Sequence, residues 1–186
     1  ETVGMSSERL ARIGLVMGGY VERGEIPGAV TLVARRGKIV HLEAHGFADL
    51  ATRRPIERDD LFRIASMTKP IASVALMMLY EEGHFRLNDP ISEFVPVFKG
   101  AQVAIPLETN ELPAFYTVPA KSEITFRHVL THTAGLATQF SSDPTKDLYL
   151  NQVSSIRTSG GTLKQGMEAL AKLPLNFHPG EKWQYG

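Results

Sequence analysis

The sharpest chemical signal in the chain is Ser66-Met67-Thr68-Lys69. At the start of a helix, i, i+3 spacing puts the hydroxyl and the amine on one face. Backbone N–H groups there lack intrahelical partners, and the peptide dipoles add positive potential. Both effects favour an oxyanion on Ser66. The same field disfavours an ammonium, so Lys69 is expected to titrate low enough to act as a base. A serine hydroxyl needs such a base beside it to become a nucleophile. Alone the tetrapeptide is weak, because Ser66 as a plain N-cap with Lys69 reaching solvent gives the same pattern. Pro70 lacks an N–H and so takes the intrahelical partner from the Ser66 carbonyl.

The second candidate is Tyr185, in Pro179-Gly180-Glu181-Lys182-Trp183-Gln184-Tyr185. Pro-Gly marks a turn, and a short extended piece follows. A phenol takes part in proton transfer when cations lower its pKa. Read alone, Tyr185 is equally an ordinary aromatic beside Trp183. His128 and His132 are four apart, as are His41 and His45, but Val129 stands where a His-Glu-x-x-His zinc site has its glutamate. The hairpin pair lies about 13 Å apart along a strand. Neither a metal nor a cofactor is therefore expected. No Gly-x-Ser-x-Gly elbow and no phosphate-cradling glycine pattern occurs.

These side chains need elements to hold them. A helix is expected from Ser66 to about Glu82, stopped by Gly83. Its Ile71, Val74, Ala75, Met77, Met78 and Leu79 cover most of its circumference, which predicts a buried helix. Upstream, Ser6 and Gly24 bracket a helix over 7–23. The β-branched runs 29–34 and 38–44, joined by Arg35-Arg36-Gly37, predict a hairpin. Its first strand is apolar on both faces apart from Thr31, which predicts cover on both sides. Prolines at 90, 96, 106, 113 and 119 forbid long helices over 87–119, leaving irregular chain with a short helix near 91–94. Thr125 caps a short helix through Thr131, with Gly135 ending it. The polar stretch 140–161 predicts a long surface loop, and Thr162 caps a last helix that Pro174 ends.

Composition narrows the classes. Twenty Lys+Arg against twenty Asp+Glu give zero formal charge over 186 residues. That balance lends nothing to non-specific nucleic-acid or anionic-membrane binding. Hydrophobic content of 43% with 22% charged residues is that of a globular chain. The absence of cysteine excludes disulfides, thiolate zinc sites and Cys nucleophiles. No apolar run reaches the length of a membrane span. The chain opens Glu1-Thr2-Val3 without a signal-peptide pattern, as if trimmed, and its compartment stays open.

Together the motifs say more. Leu61-Phe62-Arg63-Ile64-Ala65-Ser66-Met67-Thr68-Lys69-Pro70 closely resembles the nucleophile segment of the penicillin-recognising, β-lactamase-like serine hydrolases. Val129-Leu130-Thr131-His132-Thr133-Ala134-Gly135-Leu136 resembles their "LLTHTSGL" segment, and 179–185 resembles their approach to the catalytic tyrosine. The three occur in the right order, and the resemblance runs over essentially the whole chain. Within the superfamily the chain is most similar to family VIII carboxylesterases and class C β-lactamases, with Trp183 and Thr68-Lys69-Pro70 leaning toward the esterases.

The resemblance implies an α/β (α+β) fold, an antiparallel sheet flanked by helices with a mainly helical inserted region. It divides the chain into 1–80, the first part of the α/β domain; 81–175, the helical and loop region; and 176–186, the segment returning with Tyr185. It implies Ser66 as nucleophile, Lys69 as its base, Tyr185 as proton relay and the Ser66 backbone N–H as one oxyanion donor. The substrate would be a small ester or a β-lactam, with peptidase and acyltransferase chemistry as same-superfamily rivals and a non-catalytic binding relative as the different-class rival. Loops at about 99–122 and 140–161 would rim the acyl pocket. Two features depart from the pattern. Gly186 ends the chain inside the tyrosine motif, and the later Lys-Thr-Gly-type strand, which supplies the second oxyanion N–H, is absent. The expectation is therefore an N-terminal part whose C-terminal remainder completes the site, inactive by itself.

Overall fold

A computed structural model describes residues 2–107, 115–139 and 145–186. The chain forms two compact units, 1–65 and 66–186. In the first, helix α1 (Ser7–Glu22) begins where Ser6 Oγ accepts the Arg9 N–H at 3.3 Å. Strands β1 (Gly28–Arg35) and β2 (Lys38–Asp49) pair antiparallel with Arg35 opposite Lys38. Arg36 and Gly37 thus form a two-residue turn, at φ 51 and 72, the left-handed pair that matches strand twist. A short β3 (Arg54–Pro55) pairs with the end of β2, giving the order β1-β2-β3. Among the described residues β1 is therefore an edge strand and not one covered on both sides, and Leu32 is 56% exposed. Apolar residues on both faces state a demand for cover; they do not supply it.

The second unit is entered through a 3₁₀ turn, Ala65–Met67, which passes into α2 (Thr68–Glu81). Because the α-helix starts at Thr68, Pro70 falls in its first turn, where backbone N–H groups have no intrahelical acceptor, so the proline is accommodated. The expectation of a buried helix is corrected. Ile71 and Val74 are each 63% exposed and Met78 57%. Of its residues Lys69, Ser73, Leu76 and Met77 are partly covered, and the first three share a cavity wall with Val129, Leu130 and His132. A helix apolar on all sides needs partners on all sides, and unit 66–186 provides one.

The segment read as irregular contains a hairpin, β4 (Gln102–Pro106) with β5 (Phe115–Pro119). Its prolines stand at strand ends, where the missing N–H is harmless, so residues that forbid a helix still permit this pairing. Leu175 adds alongside β4, with its N–H on the Gln102 carbonyl at 2.7 Å and its carbonyl taking the Ala104 N–H at 2.8 Å. Val103, Ile124 and Leu175, nearly inaccessible, form the core with Ile91, Phe98 and Ala134. Single 3₁₀ turns at Ile91–Glu93 and Pro96–Phe98 precede the hairpin.

Of the expected 140–161 loop, residues 140–144 lie outside the described residues. The remainder is largely helical: α4 (Lys146–Tyr149), a π-turn Leu150–Ser154 and α5 (Ser155–Thr158). Tyr149, Val153 and Ile156 recur at helical spacing among polar neighbours and face Met167 and Leu170 of α6 (Leu163–Lys172) across a shared cavity. Thr162 caps α6 with Gln165 in a reciprocal capping box. No helix among the described residues is long and apolar enough to cross a membrane.

Helix α3 (Phe126–Leu130) is likewise box-capped, here by Thr125 and His128. His128 Nδ1 accepts the Thr125 N–H at 3.2 Å while Thr125 Oγ1 accepts the His128 N–H at 3.3 Å. The left-handed residue just beyond α3 is His132, φ 57, rather than Gly135. Gly135, φ 77, serves a close approach instead, since a Cβ there would clash with the Phe177 carbonyl oxygen.

Two outcomes follow for the intact protein. Gly135→Ala combines an unfavourable φ with a backbone clash and is expected to destabilise by about 2 kcal/mol or more, read from denaturant midpoints. Burial, then the neighbouring Arg127 charge, holds the His128 imidazole below its ordinary 6.5. The unfolded chain therefore binds more protons than the native one just below 6.5, so this contribution is complete above that pH and is lost as pH falls through the lowered native value. The melting temperature should fall across that window, and His128→Gln, which keeps a capping acceptor, should flatten the fall.

Candidate active site

Ser66 enters from the 3₁₀ turn and Lys69 from the first turn of α2. Residues three apart nearly eclipse in such a turn, and Lys69 Nζ lies 3.4 Å from Ser66 Oγ. Tyr185, 116 residues further on, comes to the same ammonium, which donates to Tyr185 Oη at 3.0 Å. The three sequence-selected side chains thus form one cluster. Lys69 Nζ also lies 4.6 Å from the centre of the Tyr185 ring. The Lys69 hydrogen bond, then one with Ser66, lowers the Tyr185 phenol below its ordinary 10, and the Lys69 charge adds to this. Ala65, immediately before Ser66, sits at φ 44, an uncommon conformation for a residue with a Cβ.

Tyr185 lies in chain without regular secondary structure, so its placement depends on what grips its neighbours. The return segment runs beside residues 132–135. Asn176 donates its N–H to the Gly135 carbonyl at 2.7 Å, Gly180 to Thr133 at 2.8 Å and Gln184 to His132 at 2.9 Å. Fully buried Thr145 donates its hydroxyl to Asn176 Oδ1, and Asn176 Nδ2 donates to Gln184 Oε1 at 2.8 Å. The "THTAGL" segment and the tyrosine segment are therefore one hydrogen-bonded unit.

His132 is the residue of this cluster that sequence reasoning passed over. Its ring centre lies 4.8 Å from that of Tyr185 and 6.1 Å from that of Trp183. Reading it as half of a rejected zinc pair hid this, although its position inside a motif was the available signal. An apolar cavity of about 170 Å³ opens beside it, lined in part by Leu136, Ala137, Tyr149, Leu170 and Gly186.

A family profile described as Beta-lactamase matches residues 16–186. The chain belongs to the β-lactamase-like serine hydrolase superfamily. Esterase EstB of Burkholderia gladioli is 33% identical over 177 residues, 94% of this chain and 41% of EstB. Protein Rv1367c of Mycobacterium tuberculosis is 38% identical over 165 residues, 88% of this chain and 39% of that protein. Among solved structures, EstCE1, a hydrolase with promiscuous acyltransferase activity, matches with TM-score 0.73 and 31% identity, over 97% of this chain and 44% of EstCE1. Simvastatin synthase LovD from Aspergillus terreus shares the fold, with TM-score 0.72 at 23% identity, over 95% of this chain and 45% of LovD. The chain spans about two fifths of the curated relatives' length. The helices and antiparallel strands expected from the motifs are the fold of this superfamily.

The site yields a spectroscopic outcome. Of the five tyrosines in the chain, Tyr185 should ionise first as pH rises, seen as phenolate absorbance in the intact protein. Tyr185→Phe should remove that early step, and Lys69→Met should move it up toward 10.

Proposed function

We propose that the intact protein is a serine hydrolase that forms an acyl-enzyme on Ser66 and acts on small carboxylic esters. The observation that supports it most is the single Lys69 amine within reach of both Ser66 Oγ and Tyr185 Oη. In the first half-reaction Ser66 Oγ attacks the ester carbonyl carbon. Its proton passes to the Lys69–Tyr185 pair, with Lys69, in its neutral amine form, as the activating base. The carbonyl oxygen becomes an oxyanion that the Ser66 N–H stabilises at the entrance to α2. The tetrahedral adduct collapses, the carbon–oxygen bond to the alcohol breaks, and Tyr185 relays a proton to the departing alkoxide. In the second half-reaction water attacks the acyl-Ser66 carbonyl and gives up its proton to the same pair. The carboxylic acid leaves and Ser66 regains its hydrogen.

The relatives support the ester reading, since EstB is named an esterase. EstCE1 supports a second reading in which an alcohol replaces water and the acyl group is transferred. β-Lactam or D-Ala-D-Ala peptide cleavage would use the same nucleophile. Of the two segments expected to rim the acyl pocket, the second contributes Tyr149 to the cavity beside His132, while described residues 99–107 and 115–122 line none of the cavities next to the site. A further C-terminal part of the protein completes the site in this reading, supplying the second oxyanion donor and cover for the exposed faces of α2 and β1. One oxyanion donor is worth about 2.7–4 kcal/mol in other enzymes, so residues 1–186 by themselves should not turn over.

The test is labelling of the intact protein with a fluorophosphonate, with hydrolysis of p-nitrophenyl butyrate and nitrocefin followed in parallel. An adduct on Ser66, absent from Ser66→Ala, and faster ester than nitrocefin turnover are expected. An adduct that persists in Ser66→Ala, or none at all, would leave a ligand-binding relative as the better account. Lys69→Met should abolish turnover with the fold retained.

A further inference from the structure

Tyr185 has one polar residue bound on both sides of it in the chain. The His132 carbonyl accepts the Gln184 N–H at 2.9 Å, and His132 Nδ1 accepts the Gly186 N–H at 3.3 Å. Two anchors separated by a single residue restrict the dihedrals of Tyr185 far more than either would alone. The imidazole also lies 4.8 Å from the phenol ring, tilted by 36°, and meets Trp183 edge-on at 75°. Acceptance at Nδ1 puts the proton of the neutral ring on Nε2.

His132 does all this at φ 57. Glycine would adopt that conformation without strain but would offer neither Nδ1 nor a ring. Its side chain also stands in the wall of two cavities, one shared with Lys69, Ser73 and Leu76, the other with Leu136, Tyr149 and Leu170.

We propose that His132 is a positioning residue that clamps Tyr185 at hydrogen-bond distance from Lys69 by holding the residues on either side of it. The proposal rests on the reading of Ser66, Lys69 and Tyr185 as the proton-transfer site. A contact of 3.0 Å between Lys69 Nζ and Tyr185 Oη leaves little slack. Misplacement of a proton-transfer partner by about 1 Å can slow chemistry by about 10²-fold while leaving ground-state binding intact. The loss should therefore appear in kcat and not in KM. Asparagine is the conservative replacement, because it tolerates positive φ and its Oδ1 can take the Gly186 N–H.

The experiment compares wild type, Ser66→Ala, His132→Ala and His132→Asn as intact proteins on p-nitrophenyl butyrate across pH, with circular dichroism as the check on folding. His132→Ala is expected to lose about 10²-fold in kcat with KM within about threefold. Its ionisation limb should shift upward as the phenol drifts from Lys69. His132→Asn should recover kcat to within about fivefold and restore the limb. A His132→Ala protein with wild-type kcat, beside an inactive Ser66→Ala, would overturn the clamp alone. So would equal losses in the Ala and Asn variants with an unmoved pH profile, the mark of general packing. An active Ser66→Ala would overturn the site reading beneath it, and the clamp with it.

Discussion

The structure of unit 66–186 turns on the ammonium of Lys69, held between a hydroxyl three residues before it and a phenol 116 residues after it. The first contact is local. It follows from a 3₁₀ turn running into a helix, and it would form in any chain that folded so. The second is not local, and nearly everything else in the unit serves it. The core around Val103, Ile124 and Leu175 brings the end of the chain back beside residues 132–135. The Thr145–Asn176–Gln184 chain, rooted on buried Thr145, then fixes the residue before the phenol. The lowered phenol pKa is the electrostatic consequence of that convergence.

Legibility in the sequence followed the range of the interactions. Ser66 and Lys69 were readable because spacing along one turn determines their meeting. The caps Ser6, Thr125 and Thr162 were readable because an N-cap is a side chain answering N–H groups two or three residues away. Tyr185 was readable as a candidate phenol after a Pro-Gly turn, but its role came only through likeness to a family motif, since no local rule ties it to Lys69. The β4–β5 hairpin was lost because prolines at 106 and 119 were read as helix breakers, although at strand ends they are compatible with pairing. The helical turns after Thr145 were lost because Tyr149, Val153 and Ile156 are diluted among Ser, Asn and Gln. His132 stood inside a legible motif, but its contacts run through its backbone carbonyl, its left-handed φ and one ring nitrogen, none of which leaves a pattern in composition.

Burial was the hardest property to read. The all-round apolar α2 and the two-faced apolar β1 both predict cover, yet Ile71, Val74, Met78 and Leu32 are largely exposed. Apolar periodicity measures what an element requires, while exposure measures what its surroundings provide. The chain spans about two fifths of its curated relatives.

The central claim is that the Lys69–Tyr185 pair activates Ser66 as a nucleophile. The most direct measurement is rapid acid quench of the intact protein during turnover of p-nitrophenyl butyrate, with the acylated peptide identified by mass spectrometry. The account predicts a butyryl group on the peptide containing Ser66, on Ser66 itself, formed in a burst before steady state. Turnover with no acyl group trapped on Ser66, or with the acyl group on another residue, would contradict it.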